Sequence, residues 1–195
     1  DLMAEAHVPD WFVDSCRKIK YMFPKGHAVA YVTMSLRVAW FKVHHPLAYY
    51  CAYFTVRGDG FDATTMILPP EEARKRIREI RNMDNPTALH KNTVTCLELV
   101  LEMNMRGIRF LPVDLYRSDV RRFLIEDGSI RCPFISLPGL GESAAVPIVE
   151  ARAQAPFLSV EDLQTRGRVG AAVLETLRAH GALQGLSETN QISMF

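Results

Sequence analysis

The chain has 195 residues, of which 48% are apolar and 23% charged, the balance of a chain that buries a core without disulfide or metal staples. Its 23 Lys and Arg against 22 Asp and Glu leave a formal charge of +1, so no global basic field marks a nucleic-acid binder and any such contact has to be local. These figures exclude a disordered tail, a fibre and a stapled mini-protein.

Cys16, Cys51, Cys96 and Cys132 are far apart, with no Cys-x-x-Cys pair and no His at ligand spacing. They read as reduced thiols of a cytoplasmic protein rather than a disulfide frame or zinc site. The sequence lacks a run of eighteen apolar residues, and residues 1–14 lack a basic stretch followed by an apolar one, so neither membrane contact nor a signal peptide is expected. The chain begins at Asp1 without a Met, as expected of a piece of something longer.

Pro9-Asp10 followed by Trp11, Phe12, Val13, Cys16 and Ile19 predicts a first short helix. Residues 21–27 read as a loop. Residues 28–43 then place Ala28, Tyr31, Val32, Ser35, Ala39, Trp40 and Val43 on one helical face, ended before Pro46. The aromatic stretch 47–56 fits helix or strand by period, with Leu47, Ala48 and Ala52 favouring helix. Pro69-Pro70-Glu71-Glu72 opens a charged helix over 71–81, acidic first and basic after. It is either a solvated face or a phosphate-facing stripe, since residues 71–130 hold eleven Lys and Arg beside ten acids. Residues 93–106 form another amphipathic helix, stopped by Gly107. Asp127-Gly128 between 123–125 and 130–133 predicts a β-hairpin.

The most specific signal is Leu137-Pro138-Gly139-Leu140-Gly141-Glu142-Ser143-Ala144-Ala145, continuing through Ile148 to Arg152, which resembles the helix-hairpin-helix motif. Two glycines around one apolar residue let the backbone turn tightly and approach a phosphate, Leu140 anchors the turn, and the free N–H groups of the next helix face the same anion. Such a grip needs no lysine. Pro147, in the second turn of that helix, is expected to kink it. A second unit follows: Ser159-Val160-Glu161-Asp162 is a capping signal, Arg166-Gly167-Arg168-Val169-Gly170 can form a hairpin, and 171–180 a helix closed by Gly181. The alternative is a pair of turns between packed helices. In the DNA-binding reading the contacting residues are Gly139, Leu140, Gly141, Arg166, Gly167, Arg168 and Gly170, and binding is independent of base sequence because phosphates carry no base identity.

The end of the chain, Gln191-Ile192-Ser193-Met194-Phe195, resembles the short peptide by which bacterial polymerases and repair proteins bind the sliding clamp. Gln191 would meet a polar rim while Ile192, Met194 and Phe195 fill an apolar pocket; the alternative is a frayed tail. Tyr21-Met22-Phe23-Pro24-Lys25-Gly26-His27-Ala28-Val29-Ala30-Tyr31 and Phe41-Lys42-Val43-His44-His45-Pro46 join these two segments in a fixed order. In that order the whole chain resembles the C-terminal part of the PolC-type replicative DNA polymerase III alpha subunit. Gly26 departs from the Ala or Ser usual before this His.

The resemblance implies a mainly α fold in four parts. These are a helical fingers segment over 1–68, a helical duplex-binding linker with a small β-hairpin over 69–133, a paired helix-hairpin-helix domain over 134–186, and a clamp-binding tail over 187–195. The implied partners are primer-template duplex DNA, the sliding clamp and the remaining palm and thumb of the polymerase, in a cytoplasmic setting and with 3′–5′ exonuclease elsewhere in the full chain. Mg²⁺ would serve the full polymerase, but no carboxylate cluster of the palm pattern is present. This stretch is therefore assigned no catalytic residue, no metal and no cofactor, and no polymerisation by itself. Lys25 and His27, read on the loop entering the 28–43 helix, either face nucleotide or template or are a solvated lysine and a helix cap. His44 and His45 lack a third ligand and do not make a metal site. Two other classes stay open: a stand-alone helix-hairpin-helix binding or repair module, and an interaction scaffold whose hairpins merely pack.

Overall fold

The computed structural model describes residues 2–19, 24–58 and 60–190. Among them are α1 (Leu2–Glu5), α2 (Asp10–Lys18), α3 (Lys25–His44), α4 (Pro46–Arg57), α5 (Ala63–Met66), α6 (Pro70–Arg81) and α7 (Ala88–Met105), then β1 (Phe110–Leu111), β2 (Leu124–Glu126), β3 (Ser129–Arg131), a 3-10 turn (Phe134–Ser136), and α8 (Glu142–Gln154), α9 (Val160–Arg166) and α10 (Ala171–Ala179). The fold is mainly α. None of the helices among the described residues is long and apolar enough to cross a membrane.

The undecided 47–56 stretch is helix, with Tyr50 and Phe54, four residues apart, as its buried face. The 93–106 helix starts earlier than expected, at Ala88. There Thr87 Oγ1 accepts from the His90 N–H at 3.2 Å and His90 Nδ1 accepts from the Thr87 N–H at 3.3 Å, a capping box with histidine in place of the usual Glu or Gln. The β-hairpin turns at Asp127-Gly128, with φ of 48° and 75°, as a type I′ turn requires. It is joined by an unforeseen third strand, β1, parallel to β3, giving the order β1-β3-β2. At two residues, β1 is too short to show alternation.

Around this sheet Phe54, Phe61, Phe110 and Phe123 pack ring against ring, with centroids 4.8–5.8 Å apart, edge-on for the most part. The same buried cluster continues through Cys132, Phe134, Leu137 and Leu140 to Ile148, Leu163 and Leu177. The core therefore runs without interruption across the 133/134 boundary. Within it Arg131 is 7% exposed and is held by the Glu126 carboxylate at 2.9 and 2.5 Å and the Pro112 carbonyl at 2.7 Å. Arg131, with Arg117 behind it, holds the Glu126 carboxyl down to about 2. None of the four cysteines is in a disulfide, and burial pushes the Cys132 thiol up.

On α6, Arg74 pairs with Glu71 and Arg76 with Glu79, and Arg81 pairs with Glu98 of α7. Ala73, Ile77 and Ile80 face inward. This arrangement favours the solvated-face reading of that helix. In contrast, α3 has no buried residue: Val29, Tyr31, Val32, Met34, Leu36, Val38, Trp40, Phe41 and Val43 are each at least 49% exposed. Its C-terminal end is tied down by polar contacts to one carboxylate. Glu102 accepts from Lys42 Nζ at 2.7 Å, Tyr50 Oη at 3.1 Å and Arg106 at 3.1 Å.

The C-terminus of α10 is anchored by His180, whose Nε2 accepts from the Val113 N–H at 2.9 Å. Burial lowers the ring's pKa, with Asp62 opposing weakly, so the fold keeps the ring neutral. Above the unfolded value of about 6.5 both states are neutral and the contribution is complete. As pH falls below that value the unfolded chain takes the proton first, and stability declines through the lower folded pKa. Thermal midpoints between pH 7.5 and 5 will fall more steeply for the native chain than for His180→Gln, which keeps an acceptor that does not titrate.

Candidate nucleic-acid interface

The first hairpin starts from the 3-10 turn, which replaces a full helix, and runs from the buried Leu137 to α8. The Leu140 N–H donates to the Leu137 carbonyl at 3.1 Å, closing a turn whose third residue, Gly139, sits at φ 79°, a region that costs glycine nothing. Leu140 is 2% exposed and plugs the turn into the core. Gly141, at φ −80° and ψ 169°, is the N-cap of α8 and supplies no side-chain cap. A Cβ at Gly139 or Gly141 would meet nothing within 4 Å. The two glycines line an open depression with Phe61, Ile135 and Pro138. α8 is one helix from Glu142 to Gln154, continuing through Pro147.

The second hairpin repeats the first. The Val169 N–H donates to the Gln164 carbonyl at 3.1 Å around Arg168 at φ 52°, the six-to-one bond of a Schellman closure. Val169 is 3% exposed. Gly170, at φ −74° and ψ 160°, caps α10 without a side chain, and a Cβ there would also meet open space. Gly139, Leu140 and Gly141 thus correspond to Arg168, Val169 and Gly170: a left-handed residue, an apolar plug, and a bare glycine N-cap. Asp62, Thr87 and Ser159 cap α5, α7 and α9 with their side chains; α8 and α10, like α2, α3, α4 and α6, have no side-chain cap, and in α8 and α10 the N-cap is a glycine with open space beside it. Such helix ends favour anions.

Two residues expected in the interface lie elsewhere. Gly167 is buried: a Cβ would come within 2.6 Å of the Leu163 carbonyl, so its glycine serves close packing. Arg166 is turned inward. Its guanidinium donates to the carbonyls of Ala151 at 2.6 Å, Ala155 at 2.9 Å and Pro156 at 3.1 Å, and to Asp162 at 3.0 Å, lying 5.1 Å from the Phe157 ring centroid. It closes the C-terminus of α8. Arg152 fixes the same helix from its other side, donating to the carbonyls of Leu115 at 2.7 Å and Ser118 at 2.5 Å. Lys25 and His27 are exposed in the first turn of α3 rather than on a preceding loop, because Pro24 takes the N-cap; His27 meets Tyr31 edge-on, with ring centroids 4.4 Å apart. Gln191, Ile192, Met194 and Phe195 lie outside the described residues. Sequence reasoning missed Arg121 and Arg122 beside the first hairpin; the signal was Asp119, an Asx-turn former. Among the described residues, no three of His, Cys, Asp and Glu come together to hold a metal.

Arg166 and Arg168 should separate on mutation. Arg166→Gln strips a charged donor from several carbonyls and will lower unfolding stability by about 2 kcal/mol. Arg168→Gly relieves a left-handed non-glycine residue and will raise stability by up to about 1 kcal/mol. Urea denaturation of both variants measures this.

Residues 107–192 match the family model described as a helix-hairpin-helix motif. Across 99% of its length the chain is 49% identical to the DNA polymerase III PolC-type of Thermotoga maritima, and likewise across 99% it is 52% identical to the protein of that name from Bacillus subtilis. Across its full length it is 48% identical to that of Clostridium perfringens. In each case the chain spans about 14% of the relative's length. Along its whole length, therefore, the chain belongs with a segment of the PolC-type DNA polymerase III proteins, and its second half carries a helix-hairpin-helix domain.

Proposed function

We propose that this chain is the duplex-holding part of a bacterial replicative C-family polymerase, gripping primer-template DNA through phosphates and without regard to base sequence. The observation that supports this most directly is the repeated hairpin, in which two glycine N-caps of nearly identical backbone angles each open onto free space. Each hairpin would take the backbone of one strand. Leu140 and Val169, buried beneath, hold the amides in place before the phosphate arrives, and a preordered donor set loses less entropy on binding. Arg168 adds a guanidinium directly beside the second set.

The rest of the reading concerns partners. An apolar helix with no buried side is at odds with solvent, and α3 gains a neighbour if the remaining length of a protein like the relatives lies against it. Palm and thumb would then meet this segment through α3, Lys25 and His27 would sit near nucleotide or template, and polymerisation with its Mg²⁺ would belong to carboxylates outside this chain. The segment alone would be inactive. In the same reading Gln191, Ile192, Met194 and Phe195 tether the polymerase to the sliding clamp, which rests on their sequence pattern and their place directly after the hairpins.

Fluorescence anisotropy on unrelated duplexes will give similar affinities that fall steeply with salt. Gly141 accepts a side chain without backbone strain, so Gly141→Val will weaken binding about tenfold or more with little change in unfolding midpoint. Gly139→Val would strain φ as well and is the poorer probe. Unchanged affinity for Gly141→Val would exclude the amides as the grip. Deleting residues 191–195 will abolish binding to purified sliding clamp while leaving duplex affinity intact; equal clamp binding by the truncated chain would reject the tether.

A further inference from the structure

The loop over residues 119–122 is attached to the first hairpin by its own backbone. The Asp119 carbonyl accepts from the Phe134 N–H at 3.0 Å and the Val120 carbonyl from the Ile135 N–H at 3.2 Å, the latter two residues before Leu137. The Asp119 carboxylate then accepts from the N–H groups of both Arg121 and Arg122 at 2.8 Å, an Asx turn that fixes where the two side chains leave the loop. Both arginines are exposed. Arg121 lies on the hairpin side, since its guanidinium meets the Glu142 carboxylate at 3.0 Å and Glu142 is the first residue of α8.

We infer that residues 119–122 are an arginine arm of the first hairpin, supplying a second backbone-phosphate contact, and that Glu142 holds Arg121 until DNA displaces it. This rests on the duplex-binding reading above. Glu142 and an approaching phosphate compete for two favourable partners, the amide end of α8 and the guanidinium of Arg121. An exposed ion pair in water is weak, whereas a guanidinium on a phosphate makes paired, charge-assisted bonds and releases counterions. Arg121 therefore transfers from carboxylate to phosphate when duplex arrives, and Arg122, fixed by the same turn, reaches the phosphate track beside it. The second hairpin needs no such arm because Arg168 already stands at its turn.

The test is duplex affinity against salt for the 195-residue chain and for Gly141→Val, Arg121→Gln, Arg122→Gln and Glu142→Gln, with thermal midpoints confirming the fold of each. Each arginine variant should bind several-fold more weakly on every duplex and reduce the steepness of the salt dependence by about one. Glu142→Gln should bind about threefold more tightly, and that gain should shrink in the Arg121→Gln background. Arginine variants with unaltered salt dependence, beside a weakened Gly141→Val, would overturn the arm and leave the hairpin grip standing. A Glu142→Gln variant that binds no more tightly would overturn the holding role of that carboxylate. Absence of duplex binding by the unsubstituted chain would instead remove the reading on which the arm rests.

Discussion

The direction of α8 depends on two guanidinium groups. Arg166, from the following helix, donates to the Ala151 and Ala155 carbonyls at the C-terminal end of α8, and Arg152, on α8 itself, reaches across to the Leu115 and Ser118 carbonyls while lying 5.7 Å from the Phe134 ring centroid. Burial lowers the Arg152 pKa, with Asp114 and Asp119 opposing, so the charge is kept within the fold at a cost that the carbonyls offset. With one end of the helix closed and its flank pinned, the opposite end is left pointing outward with its amides uncapped. The grip proposed at Gly141 is in that sense prepared at Ala155, a helix length away.

The two hairpins reach the same backbone geometry by unequal chemistry. In the first, glycine takes the left-handed position and a separate loop brings arginines alongside. In the second, arginine itself occupies that position, at a strain of roughly 1 kcal/mol, in a Schellman closure that also needs Gly167 for its close approach to Leu163. Arg168 is thus a non-glycine residue held at positive φ directly before the plug and the bare glycine N-cap.

Much of this was legible in the chain. The Gly-x-Gly spacing located the first hairpin, Asp127-Gly128 the β-turn, and Pro70 the start of α6, because each depends on local backbone preferences. What escaped depended on distant partners. Arg166 looked like a DNA contact because sequence spacing cannot show that the carbonyls of Ala151 and Ala155 come within its reach. Gly167 looked like a turn glycine, and only the neighbouring Leu163 carbonyl reveals it as a packing one. β1 has no pattern of its own, since two residues become a strand only when β3 lies beside them. His90 concealed the start of α7 by doing the work of a glutamate.

The bare flank of α3 bears on how the region acquires its order. α4, α6, α7, α8 and α10 each bury side chains in the core, whereas α3 contributes no side chain to that core and is secured chiefly through Lys42 and its packing on α4. A neighbour lying against α3 would add to its stability by mass action. Residues 25–44 would then act as a gauge of assembly, firm when the surrounding protein is in place and soft when it is missing, while the hairpins at the far end of the chain hold their form either way.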